Sequence, residues 1–283
     1  MSIKTLLVPI AGRDDDRRLL AMARDAALPF GAHIEAAHAR PDPRESLPYM
    51  TGAASAEAIA MVIDAAQRAA DDRARAARAL FDGFCADNGV AVATAPPAEG
   101  VSAAWHEAVG HETAVLADRG RLVDLIVVAR RNGVGADLVE TALFDTGAAV
   151  LVAPPLAPRP FDGPAIVGWN GSAQAARAIT RAIPFLARAA SVAVLTAEDG
   201  AEGGSKAEDV VERLAWHGIA ASAGALDPDR GSVGEALLAE AERAGASLLV
   251  IGGYGHSRMR ELVLGGVTHD VLDSAQVPIL MAH

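Results

Sequence analysis

Short runs of Val, Ile and Leu, closed by turn residues and separated by stretches long enough for a helix, recur along this chain. Such runs are near-continuously apolar instead of alternating, which predicts parallel strands buried on both faces. In the C-terminal part they fall at 165–169, 191–196, 219–224, 247–252 and 277–282. The segments between them carry helical stripes: Ala175, Ala178, Ile179 and Ala182 within 172–188, and Val211, Leu214 and Ala215 within 208–217. Ser232-Val233-Gly234-Glu235 is a capping-box pattern that opens a third helix running to about 244, and a last helix is predicted over 267–274. The order is β-α-β-α-β-α-β-α-β, an α/β class.

The N-terminal part repeats this plan. Leu6 to Gly12 reads against Ala165 to Gly171 at an offset of 159, Asp124 to Ala129 against Ser247 to Gly252 at 123, and Ala148 to Ala153 against Val277 to Ala282 at 129. The changing offset means that copy one carries 36 more residues between its first and fourth strands and six fewer between its fourth and fifth. The excess lies within 40–89. There, 55–84 is rich in Ala, Arg and Asp at helical spacing and predicts one long amphipathic helix after a polar loop, 41–48. Its role is a packing elaboration of the first domain or a lid over a ligand. Pro154, Pro155, Pro158 and Pro160 crowd seven residues into a stiff linker. The expected division is therefore a domain at 1–154, a linker at 155–163 and a domain at 164–283.

Composition narrows the function. With 283 residues the chain is long enough for two domains, and although 51% of residues are hydrophobic, no apolar run approaches the roughly 18 residues of a membrane span. No secretory signal pattern opens the sequence, and a cytoplasmic, soluble protein is expected. A net charge of −11 opposes binding to nucleic acid, which depends on Lys and Arg neutralising phosphates. The single cysteine, Cys85, excludes an internal disulfide and cysteine-rich metal sites, and reads as a core residue.

One stretch could carry chemistry. From Gly252 to Thr268 the skeleton is Gly252, two residues, Gly255, nine residues, then Gly265-Gly266, followed by the last helix. Glycines at the C-terminal end of a strand allow close backbone approach, and in an open α/β sheet that edge is where ligands bind. A glycine pair before a helix presents free N–H groups to a phosphate. Arg258 and Arg260 could add charge.

This segment resembles the nucleotide loop of the universal stress protein family, written G-x2-G-x9-G-[ST], on Gly252, Gly255 and Gly265. The resemblance implies two Rossmann-like (adenine nucleotide alpha hydrolase-like) domains, each a five-stranded, mainly parallel sheet flanked by helices. It also implies an adenine nucleotide, ATP, ADP or AMP, with or without Mg2+. The two halves would pair through their final strands as an intramolecular pseudo-dimer, with association of two chains left open. Gly252, Gly255, Gly265, Gly266, Val267 and Thr268 would then hold phosphate and ribose, with Asn170 and Thr196 near ribose and adenine. Gly266 stands where the family has Ser or Thr, and Asn170 where it has Asp, so a hydroxyl contact is lost and a carboxylate becomes an amide. Copy one lacks these features: Ala129-Arg130-Arg131-Asn132 replaces the first Gly-x-x-Gly, Ala11 the first-strand Asp, and Ala142-Leu143 or a nearby equivalent the glycine pair. A structural or regulatory role is expected of it.

Other patterns weigh less. His106 and His111 are five apart, not the four a zincin helix needs. His269-Asp270 reads as a solvated helix face. His256 is either a ligand contact or a loop residue, and Trp169 either stacks on a base or packs in the core. No Ser-His-Asp ordering, nucleophile elbow or Walker loop appears. The resulting expectation is a non-enzymatic stress-response or regulatory protein, the alternatives being a ligand-free scaffold and a slow nucleotide hydrolase acting through His256 or His269.

Overall fold

A computed structural model describes residues 2–13, 15–44, 55–96, 100–129, 136–155, 160–197, 205–227, 231–253 and 266–283. The chain forms two compact units, 4–123 and 124–283, the latter joined by 1–3.

The first unit holds strands β1 (Thr5–Pro9), β2 (His33–Arg40), β3 (Ala91–Val92) and β4 (Ser102–Val109) and helices α1 (Asp16–Ala27), α2 (Ala56–Asn88) and α3 (Glu112–Gly120). Its strands lie in the order β3-β4-β2-β1, all parallel, and β2 and β4 run alongside each other from His33 opposite Ser102 to Arg40 opposite Val109. The apolar runs account for the strands, since Leu6, Leu7 and Val8 are wholly buried. The predicted long helix is present and extends past 84 to Asn88. Ser55 caps its start by accepting a hydrogen bond from the Ala58 N–H (3.2 Å), and Gly89 ends it at φ 63°. Its 33 residues, against nine in the corresponding helix of the second half, account for 24 of the 36 extra residues. Helix α2 packs on α1, β2 and β4. The loop expected at 41–48 lies partly outside the described residues.

The segment 102–109, which contains His106 of the apparent zincin pattern, is strand β4 and not a helix. Among the described residues no group of three or more His, Cys, Asp and Glu side chains could hold a metal.

In the second unit the elements are β5 (Leu125–Ala129), α4 (Ala136–Asp145), β6 (Ala149–Ala153), β7 (Ala165–Gly168), α5 (Ala173–Leu186), β8 (Val192–Thr196), α6 (Ala207–Ala215), β9 (Ala221–Ala225), α7 (Val233–Arg243), β10 (Leu248–Gly252), α8 (Gly266–Ser274) and β11 (Ile279–Ala282). The predicted alternation from 165 onward is reproduced, with edges moved by up to two residues. The strand order is β5-β6-β11-β10-β7-β8-β9, and every adjacent pair is parallel except β6 with β11, where Val152 faces Ile279 and Val150 faces Met281. Both strands of that pair are buried along their whole length, as an interior seam requires. No helix among the described residues is long and apolar enough to cross a membrane.

Candidate functional site

Strands β7 and β10 are adjacent and parallel, so their C-terminal ends, the β7–α5 turn and Gly252, meet at one edge of the sheet. That edge is where an open α/β sheet binds ligands. The turn is built from its own polar groups. Gly171 takes φ 78°, a left-handed conformation that Cβ would strain; Gly12, its counterpart at the same offset of 159 in the first half, also has φ 78°. The Asn170 side-chain oxygen accepts the Ser172 N–H (3.1 Å), and buried Ser172 caps α5 by accepting the Ala175 N–H (3.1 Å). Sequence reasoning passed over Ser172, although a Gly-Ser after a strand and before a helical stripe is a capping signal.

Gly252 ends β10, and its need for a glycine has a packing cause: a Cβ there would stand 2.6 Å from the Ala175 nitrogen and 3.1 Å from the Ala175 Cα. The strand end and the first turn of α5 approach more closely than any side chain allows. The following Gly253 is held likewise, its N–H donating to the Ala282 carbonyl (2.9 Å) while a Cβ would meet the Leu143 side chain at 3.3 Å. Its carbonyl in turn accepts from Nδ1 of His283 (3.1 Å), whose ring packs edge-on against Phe144.

Helix α8 begins at Gly266, inside the motif, with Val267 partly exposed and the Thr268 side chain buried. It lies tightly on α7: a Cβ on Gly234 would meet the Asp270 Cβ at 2.8 Å and the Val267 carbonyl at 3.2 Å. Asp270 is therefore not part of a solvated face. Its carboxylate accepts the Ser232 hydroxyl (2.8 Å), the same residue that caps α7 in the predicted box with Glu235. Trp169 is a core residue, 8% exposed, with its indole N–H donating to the Ser205 carbonyl (3.0 Å), so its ring does not offer a face for stacking. Thr196 ends β8 half-buried, its hydroxyl donating to the Ala197 carbonyl (3.3 Å). Gly255, His256, Arg258, Arg260 and Gly265 lie outside the described residues, as does the side chain of His269.

The corresponding edge of the first half is filled. The carboxylate of Asp16, fully buried, accepts the N–H groups of Ala11 (2.8 Å) and Arg13 (2.9 Å), so these main-chain donors are already committed to an anion of the chain itself. Helix α2 lies against Gly12, where a Cβ would meet the Arg73 carbonyl at 3.2 Å and the Ala77 nitrogen at 3.3 Å. The expected replacement of the glycine pair at Ala142-Leu143 does not hold: Ala136 opens α4, 13 residues before β6, as Gly266 opens α8, 13 residues before β11, whereas Ala142 and Leu143 are buried farther along α4. Beneath α2, His38 donates from Nδ1 to the Ile10 carbonyl (2.8 Å) and stacks on Trp105, which packs on Phe81 of the helix. His38 is buried, and its Nε2 has no partner among the described residues.

A model of the universal stress protein family matches residues 164–283. Over its whole length the chain is similar to a universal stress protein from Archaeoglobus fulgidus DSM 4304, at 15% identity, covering 99% of this chain and 96% of that one with a TM-score of 0.64. It is similar also to a functionally unknown protein from Pseudomonas aeruginosa PAO1 (14% identity, 98% and 92% covered, TM-score 0.53). A third similar structure is the cytoplasmic domain of a prokaryotic cation chloride cotransporter (11% identity, 98% and 94% covered, TM-score 0.52). At these identities the likeness is one of fold. No curated protein matches the chain.

Proposed function

Because residues 164–283 belong to the universal stress protein family, we propose that this protein is a non-enzymatic stress-response regulator that binds an adenine nucleotide in its C-terminal domain. One observation carries the reading: the segment matched by the family model includes the whole G-x2-G-x9-G-G pattern, which leaves β10 at the sheet edge beside the β7–α5 turn and resumes at the start of α8. Main-chain N–H groups of a helix start suit phosphate oxygens without a net positive protein. Gly255, Gly265, Gly266 and Val267 would approach the phosphates, Thr268 through its main chain, and Asn170 and Thr196 would lie on the nucleoside side; His256 remains either a contact or a loop residue. Gly252 serves this site indirectly by setting α5 against β10. ATP, ADP and AMP all suit this arrangement, and Mg2+ would enter with the phosphates. The two copies, 1–154 and 164–283, would form a pseudo-dimer through the β6–β11 pairing, with the first copy in a structural or regulatory role.

Calorimetry with ATP, ADP and AMP tests the reading. Binding to the native protein is expected with one guest per chain, abolished by Gly255→Val or Gly265→Val with the circular dichroism spectrum intact; unchanged affinity in those variants refutes the pocket. Repeating the titration with EDTA isolates the contribution of Mg2+. A second reading, a ligand-free scaffold, is favoured by one observation: packing alone explains Gly252. It predicts protein that purifies without nucleotide and shows no thermal shift with any of the three at millimolar concentration. Turnover of ATP that vanishes on changing His256 or His269 would instead make the protein a slow hydrolase.

A further inference from the structure

We propose that β9 is a homodimerisation edge, on which a second copy of this chain adds its own β9 antiparallel, centred on Ala223. The strand ends its sheet, with β8 as its strand partner among the described residues. The Leu226 N–H donates to the Thr196 carbonyl on β8. In a strand successive residues turn their main-chain groups to alternate sides, so Ser222 and Gly224 face β8 as Leu226 does. Ala221, Ala223 and Ala225 therefore direct N–H and C=O outward.

These outward groups are complementary to themselves. In an antiparallel pair with Ala223 opposite its own copy, Ala221 falls opposite Ala225 and each facing pair exchanges both of its hydrogen bonds. No outward donor or acceptor between 221 and 225 is left over. The two-fold axis this demands is the usual symmetry of a homodimer.

The edge also lacks the devices that keep strands apart. From Ile219 to Ala225 there is no charge and no proline, and the side chains of β9 itself are Ala, Ser and Gly, mostly exposed. Such an uncharged edge is a template for pairing, whereas β3, at the far end of the first unit's sheet, is blunted to two residues. Helix α6 packs on β8 and β9, and its C-cap Trp216 is 85% exposed, the most exposed large apolar side chain described. Trp216 precedes the start of β9 by five residues in the chain, and an exposed Trp is of the type enriched in interfaces. The inference is independent of nucleotide binding.

Light scattering across a concentration series tests it. The native chain is expected to run as a dimer at high concentration and to dissociate on dilution, while Ala223→Pro, which removes an outward N–H that makes no bond among the described residues, stays monomeric with an unchanged melting temperature. Ala223→Lys, which sets two like charges opposite each other, gives the same result. In the native background, Ala223→Cys is expected to form a disulfide-linked dimer under mild oxidation and Ser222→Cys to form far less, Cys85 being buried. A native chain that is monomeric throughout, a dimer insensitive to both Pro and Lys, or equal cross-linking at 222 and 223 overturns the assignment.

Discussion

Gly252 and Ala175 touch backbone to backbone: the space a side chain would need at the end of β10 is already taken by the first turn of α5. Gly252→Ala therefore forces a strand and a helix apart. Overpacking of this kind costs about 1–3 kcal/mol, and at about 2–4 °C per kcal/mol for a protein of this size the melting temperature is expected to fall measurably. Gly255→Val, by contrast, is expected to cost binding and leave the melting temperature of the unliganded protein unchanged. Thermal melts of the two variants, with and without nucleotide, separate a glycine that packs from a glycine that admits a guest.

Asp16 supplies the second prediction. Replacing it with Ala leaves the Ala11 and Arg13 N–H groups without their shared acceptor, a loss of about 1–3 kcal/mol, read as a lower urea midpoint. Asp16→Asn keeps one oxygen, and both hydrogen bonds run to a single oxygen of the native carboxylate, so its loss is expected to be less than half as large. Equal losses would mean that charge, not hydrogen bonding, matters there.

His33 gives stability a pH dependence. Burial holds its pKa below the ordinary value of 6.5, against the opposing pull of Glu35, and Nδ1 lies 2.8 Å from the Ser102 hydroxyl. A folded-state value below the unfolded one means that the unfolded chain takes up the proton first. The contribution is thus complete above about pH 6.5 and lost as pH falls through the folded value. Urea midpoints measured between pH 7.5 and 5 are expected to decline less steeply in His33→Gln than in the native protein.

Cys85 is expected to be inert in the native state. Burial, aided by Asp82 and opposed by Arg78, pushes its thiol from 9.0 up to about 11. That leaves about a hundredfold less thiolate than in the unfolded chain. Labelling with a disulfide reagent at pH 8 should accelerate by at least that factor when urea is added.

The strands of the second half were legible because buried parallel strands are written as unbroken apolar runs, as at 248–251 and 279–281. Strands β2 and β4 were harder to read. Ala, His and Glu dominate them, and His106 with His111 even imitates a helical motif that β4 excludes. Trp169 could be assigned to core or ligand only after its indole N–H was seen to reach the Ser205 carbonyl, a residue 36 positions away. Gly252 carried the right identity for an incomplete reason: the motif suggests room for a guest, while the close neighbour is Ala175, a contact between segments far apart in sequence that spacing cannot reveal. Asp270 escaped for the same reason, since its partner Ser232 lies on another helix.

The seam between β6 and β11 decides what a cut in the chain would do. A backbone break engineered just after Pro155 would sever the covalent path from β6 to everything beyond it, yet Val150, Leu151 and Val152 would stay zipped to Met281, Leu280 and Ile279 in the interior of a sheet. The two pieces would travel together through a sizing column and part only in denaturant.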